Sequence, residues 1–141
     1  MKKSWIITGL LAIILLLPSV TAACGPAPVS AGLGQQFMLY AGKTAVITGE
    51  KLKIVFQEVT EDTRCPYGVE CPTAGNAKCM MLITYSNSQT SMTFTQEGTD
   101  DNFIDFNVFK ITYQLQPYPV STDKIKAGDY RLRITVTRQG P

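Results

Sequence analysis

The chain predicts an all-β fold, an antiparallel two-sheet sandwich of immunoglobulin-like kind with about seven strands. Three observations carry this. From Gln35 onward apolar and polar residues alternate with a period of two over short runs. Turn residues such as Gly42-Lys43, Gly49-Glu50 and Ser86-Asn87-Ser88 punctuate those runs. No stretch shows a helical period long enough to build a helix. Antiparallel strands with one apolar and one polar face need a second sheet to cover the apolar side, which gives the sandwich.

In order, the predicted strands are 36–40, 44–48, 51–59, 77–85, 90–95, 106–116 and 129–137. In the third, Leu52, Ile54 and Phe56 point inward while Lys51 and Lys53 meet water. In the fourth, Ala77, Cys79, Met81, Ile83 and Tyr85 share one parity. Phe109, Ile111, Tyr113 and Leu115 give the sixth its inner face, and Pro117 and Pro119 end it, because proline cannot donate to a ladder. The last strand is the clearest, with Tyr130, Leu132, Ile134 and Val136 inside and Arg131, Arg133, Thr135 and Thr137 outside.

Ahead of these strands stands an export signal at 1–23. Lys2 and Lys3 form its charged start, 5–17 its apolar run, and Val20-Thr21-Ala22-Ala23-Cys24 a small-residue cleavage segment. That segment resembles the lipobox of bacterial lipoproteins, with Thr21 where leucine is usual. The resemblance implies lipidation of Cys24, which would become the mature N-terminus and hold the protein on a membrane. A plain secretory cut after Ala22 or Ala23 is the alternative. Residues 24–34 hold the anchor cysteine and, with Pro26, Pro28, Gly32 and Gly34, read as a tether spanning about 15–20 Å. The sandwich domain is then 35–141, within reach of a single core.

The whole sequence has 13 Lys plus Arg and 11 Asp plus Glu, so it is formally basic. Lys2 and Lys3 leave with the signal, which brings the mature chain to zero net charge. No field draws nucleic acid, and no aromatic-interleaved arginine stripe offers it a platform; nucleic acid is not an expected partner.

With Cys24 lipidated, Cys65, Cys71 and Cys79 remain, and three thiols cannot all pair. Cys65-Pro66-Tyr67-Gly68-Val69-Glu70-Cys71 is a short loop whose proline and glycine let it fold back, so Cys65 and Cys71 are the expected disulfide. Cys79 is then a buried thiol on the inward face. A zinc site is disfavoured: three cysteines lack a fourth ligand, the chain has no histidine, and an oxidising compartment favours disulfides.

The run Asp62-Thr63-Arg64-Cys65-Pro66-Tyr67-Gly68-Val69-Glu70-Cys71, followed by Ala74-Gly75-Asn76, resembles a group of uncharacterised small bacterial exported proteins and lipoproteins. Their signature is Asp-Ser/Thr-Arg-Cys-Pro-x-x-Val-x-Cys-x-x-Ala-Gly-Asn. Tyr118-Pro119 and Gly128-Asp129-Tyr130-Arg131 extend the likeness. Thr73 departs where tryptophan is common, and Cys79 where an aliphatic residue is usual. The resemblance implies a β-sandwich, export and the Cys65–Cys71 bridge, and brings no activity.

Without histidine, Ser-His-Asp and Cys-His sites and imidazole proton shuttles are absent. Ser121-Thr122-Asp123-Lys124 matches Ser-x-x-Lys only in a turn, where the motif needs a helix and partner motifs. Asp100, Asp101, Asn102 and Asp105 read as a solvated loop whose spacing fits no standard calcium site. Met38, Met80, Met81 and Met92 read as core filling. Lys51, Lys53, Lys110, Arg131 and Arg133 would make a basic stripe only if their strands were neighbours.

What remains is recognition. Tyr67, on a loop closed by a disulfide, and Arg64 beside it are the interaction candidates, because an aromatic on a rigid loop contacts a partner at low entropic cost. Each has a second reading: Tyr67 folded back over the edge of the sandwich, and Arg64 in a local pair with Asp62 or Glu61 that braces the loop. The expected function is a non-enzymatic, exported and lipid-anchored module that binds a protein or glycan of the cell envelope, with no catalytic residue, metal or cofactor. A loop-presenting protease inhibitor or protector, and an enzyme of unfamiliar type, are the alternatives.

Overall fold

Alternation survives folding almost residue for residue. The computed structural model describes residues 25–140; the predicted leader at 1–23 and the lipidation candidate Cys24 lie outside the described residues. Among the described residues nine strands form: β1 (Val29–Ala31), β2 (Gln36–Tyr40), β3 (Lys43–Ile47), β4 (Leu52–Asp62), β5 (Asn76–Tyr85), β6 (Ser88–Glu97), β7 (Asn102–Phe106), β8 (Phe109–Gln116) and β9 (Arg131–Arg138). They build one sheet in the order β1-β3-β4-β5-β6 and a second in the order β2-β9-β8-β7. Every pairing is antiparallel except β1 with β3.

Between the sheets lie the inward residues of both. Ile54, Phe56, Cys79, Met81, Ile83 and Phe94 come from the first sheet, and Leu39, Phe109, Ile111, Leu132, Ile134 and Val136 from the second, all fully buried. Aromatic pairs cross the layer: Phe94 meets Tyr113 at 4.6 Å between centroids, and Tyr85 meets Phe109 edge-on at 5.4 Å. Removing this apolar surface from water is the main favourable contribution to folding.

Two strands were not expected from sequence. Val29–Ala31 falls inside the segment read as a tether, yet it pairs with β3 and buries Ala31 in the core. Its three residues carry too short a pattern to stand out among prolines and glycines. The acidic segment around Asn102 and Asp105 is not a loop but β7, and the predicted strand 106–116 is broken by a hairpin turn at Asn107-Val108, where Asn107 adopts φ 53°. As an edge strand, β7 buries little, so its alternation of apolar and acidic residues is weak.

The basic residues divide between the sheets. Lys53 lies on β4 in one sheet, whereas Lys110, Arg131 and Arg133 lie on β8 and β9 in the other, so they form no common stripe.

The two ends of the sandwich are distinct. The C-terminal ends of β4 and β8 and the N-terminal ends of β5 and β9 share one end. The turn before β4 and the β7–β8 hairpin share the other, where Arg138 pairs with Glu50 at 2.7 Å. Everything singled out in the Asp62–Asn76 segment belongs to the first end.

Candidate functional site

Two register shifts in β4, between Phe56 and Glu58 and between Val59 and Glu61, precede the site. Each inserts an extra residue opposite β5, and such bulges bend a strand and re-aim its side chains. Asp62 is thereby turned toward the space between the sheets, where it is half-buried.

Arg64 sits at the centre of the site. It is only 4 % exposed, which corrects the expectation of a surface contact residue and favours the bracing role. Its Nε donates to Asp62 Oδ1 at 2.8 Å and its Nη2 to Asp62 Oδ2 at 2.7 Å, a forked pair. Nη1 donates to the Leu115 carbonyl at 3.1 Å and Nη2 to the Pro117 carbonyl at 3.0 Å. Those carbonyls belong to the end of β8 and the residue after it, so one side chain joins the two sheets. The planar guanidinium presents several donors in fixed directions, a geometry lysine lacks.

Tyrosines close the cluster. Tyr130 donates its hydroxyl to Asp62 Oδ2 at 2.9 Å, and Tyr118 donates to the Cys65 carbonyl at 2.7 Å while its ring lies 5.4 Å from the Arg64 guanidinium carbon. Burial alone would raise the Asp62 carboxyl, but the hydrogen bonds and charge of Arg64, helped by Tyr130, outweigh it and hold the group below its ordinary value. Burial, and the hydrogen bond given to Asp62, push the Tyr130 hydroxyl up to about 12. Cys79 lies in the core nearby, and burial pushes its thiol up to about 12, so it is an inert thiol rather than a nucleophile.

On this base stands the loop. Cys65 and Cys71 form the expected disulfide, with Cα atoms 6.0 Å apart. Cys65 N–H donates to the Ala74 carbonyl and Thr63 N–H to the Asn76 carbonyl, each at 2.8 Å, so the β4–β5 ribbon continues to the disulfide. Gly75 fits there because it has φ 67° and because a Cβ would fall 1.8 Å from the Thr63 carbonyl oxygen. Tyr67 N–H donates to the Pro119 carbonyl at 2.9 Å, tying the loop to the segment after β8.

Tyr67 itself is 81 % exposed. It projects from a backbone fixed by the disulfide, by Tyr118 and by Pro119. Val120, 80 % exposed, follows directly on Pro119, and Val69, 42 % exposed, lies on the same loop. The exposure of Tyr67 rules out its folding back over the sandwich edge, and the exposure of Val69 and Val120 was not anticipated from the sequence. Their signal was there, since a valine in a disulfide loop and one after Tyr118-Pro119 have no strand to bury them.

Beside this tip lies a cleft of about 440 Å³. The end of β4 forms one wall and the segment Ser121–Ala127 the other, with Asp62, Arg64 and Tyr130 at its base. At its base Arg64 and Tyr130 both donate to the Asp62 carboxylate. Lys124 of Ser-x-x-Lys lines the wall in a loop. Among the described residues, no three His, Cys, Asp or Glu side chains gather closely enough to hold a metal ion, and no helix is long and apolar enough to cross a membrane.

Comparison of the chain with known protein families, with curated proteins and with solved structures finds no match.

Proposed function

We propose that this protein is a non-enzymatic interaction module of the cell envelope, exported, held at a membrane by lipid on Cys24, and binding an envelope protein or glycan through the disulfide end of the sandwich. One observation carries the reading: Tyr67 is almost fully exposed on a loop whose backbone is held by a disulfide and by the buried Arg64–Asp62 pair. Rigid exposed aromatics give contact area at little ordering cost, whereas a catalytic site would need reactive groups that the buried cluster keeps fully paired. The cleft beside Tyr67, with Thr60, Ser121, Thr122 and Lys124 on its walls, offers polar contacts to a partner. The export segment and Cys24 support the location.

The test is crosslinking in the native envelope, comparing the parent with Tyr67→Ala and with Val108→Ala at the far end. A defined partner captured by the parent and by Val108→Ala but lost in Tyr67→Ala supports the assignment. Equal capture by all three overturns it. Intact mass of membrane-extracted protein tests the anchor separately, since an unmodified mass beginning at Ala23 or Cys24 excludes lipidation.

A further inference from the structure

Of the strands at the sheet edges, β1, β2 and β7 are short, with 3, 5 and 5 residues, whereas β6 has 10. Unpaired backbone groups at an edge template the addition of another strand, and edges are ordinarily guarded by shortness, charge, proline or a bulge. In β6 these guards are missing. Ser88 to Gln96 contains no charged residue and no proline, and the register with β5 runs unbroken from Ser88 to Glu97.

The β5–β6 hairpin determines which backbone groups of β6 are open. Ser86 and Asn87, both at positive φ, form a two-residue turn between Tyr85 and Ser88. Residues flanking such a turn exchange both backbone hydrogen bonds, and bonded and non-bonded pairs alternate from there. Ser88, Thr90, Met92 and Phe94 therefore bond to β5, while the N–H and C=O groups of Gln89, Ser91, Thr93 and Thr95 point away from it. The Thr95 carbonyl accepts from the Tyr113 hydroxyl at 2.8 Å, as this parity requires. Gln89, Ser91 and Thr93 are exposed, and among the described residues no strand lies on their outer side. The turn at Asn87 bounds the open run on one side and the occupied carbonyl of Thr95 bounds it on the other, with Ser91 midway between them.

We infer that β6 pairs antiparallel with β6 of a second copy of this chain about a two-fold axis at Ser91. Ser91 then exchanges both backbone bonds with its own copy, and Gln89 exchanges both with Thr93 of the copy. The symmetry of the open run about Ser91 selects this occupant, because a two-fold mate requires it and a foreign strand does not. No charged side chains are opposed along the paired run, and threonine and serine suit cross-strand contact. Apolar side chains at the same flank support the choice. Phe94 of β6 packs on Tyr113 of β8, and β7 is the strand beyond β8. Ile104 and Phe106 of β7 share the inward parity of Ile111 and Phe109, yet they are only half-buried, as is Met92 of β6. A second copy brings the same three side chains to cover them. This surface runs along the flank of the sandwich, so the inference depends neither on the lipid anchor nor on the partner proposed for the disulfide end.

The test is disulfide trapping of the full chain together with sedimentation equilibrium. In the pair, Ser91 and its copy have Cα atoms about 5.5 Å apart, within the span of a disulfide, whereas Thr93 and its copy are about 13 Å apart. Ser91→Cys and the double variant Gln89→Cys/Thr93→Cys should form covalent dimers under mild oxidation, and Thr93→Cys alone should not. The parent should sediment as a monomer–dimer equilibrium, and Ser91→Lys, which sets like charges opposite one another on the axis, as a monomer. A parent that stays monomeric at about 1 mM overturns the inference. So does trapping of Thr93→Cys as readily as Ser91→Cys, or an assembly larger than a dimer, because two-fold pairing uses up both β6 edges. Capture of a different protein through Ser91→Cys in place of the copy also overturns it, and assigns the edge to an extended segment of that protein.

Discussion

Arg64 and Asp62, two residues apart at the end of β4, form a forked ion pair in which the guanidinium has no exposed surface and the carboxylate keeps 12 % of its own. Burying two charges costs more solvation than their attraction recovers unless every remaining donor is used. Here the carbonyls of Leu115 and Pro117 accept two further guanidinium N–H groups, so the pair is also the clasp between the sheets.

Truncating the clasp should therefore cost much more than an exposed ion pair would. Arg64→Ala leaves a largely buried carboxylate and two carbonyls without donors, and a loss of about 3 kcal/mol is expected from urea unfolding. Arg64→Lys should recover less than half of it, because an ammonium cannot reach the carboxylate and both carbonyls together. A loss below about 1 kcal/mol for Arg64→Ala would show the pair to be an incidental contact.

The same pair sets an acid limit. Asp62 is held below its ordinary value of 3.8, so its contribution is fully present above that value and is lost as the pH falls through the lower, folded value. Stability against urea should decline below about pH 4, and the decline should be shallower in Asp62→Asn than in the parent. Identical acid slopes in the two proteins would contradict the assignment.

Much of this fold was legible because the core strands repeat every two residues. In β8 and β9 each inward residue is apolar and each is buried, so the pattern and the packing carry the same information. Where one strand edge faces water the link weakens: β7 exposes Phe103 and Asp105 and half-buries Ile104, and no periodicity rule recovers such a strand. Glu58 breaks the alternation of β4 because of a bulge, which is why its predicted end at 59 falls short of Asp62. The burial of Arg64 was hidden for another reason. Its partners at Leu115 and Pro117 come from a distant part of the chain, and only the meeting of the two sheets brings them close.

Two glycines separate conformational freedom from close approach. Gly68 and Gly75 both have positive φ, at 76° and 67°, but only Gly75 faces backbone at contact distance. Gly68→Ala should cost about 1 kcal/mol, the usual penalty for a side chain in the left-handed region. Gly75→Ala must also push Thr63 aside and open the β4–β5 ribbon, so its thermal midpoint should fall well below that of Gly68→Ala. Equal midpoints would mean that the ribbon yields freely and does not hold the loop in place.

Reduction should loosen the loop without unfolding the domain. Closing the short segment between Cys65 and Cys71 is worth about 2 kcal/mol on the chain-entropy view, a modest share of what a domain of this size possesses. The buried clasp of Arg64 with Asp62 and the hydrogen bond from Tyr118 to the Cys65 carbonyl remain after reduction, and they hold the base of the loop. Cys65→Ser/Cys71→Ser should accordingly keep a cooperative unfolding transition with a lower midpoint, while proteolysis of the native state becomes selective for the segment around Tyr67. Cys79, fully buried and with its thiol pushed up to about 12, should react with an alkylating reagent only in denaturant, in the parent and in the double variant alike. Rapid native-state alkylation of Cys79 in the double variant would show that the disulfide closes the core rather than the loop, so that loop and sandwich do not behave independently.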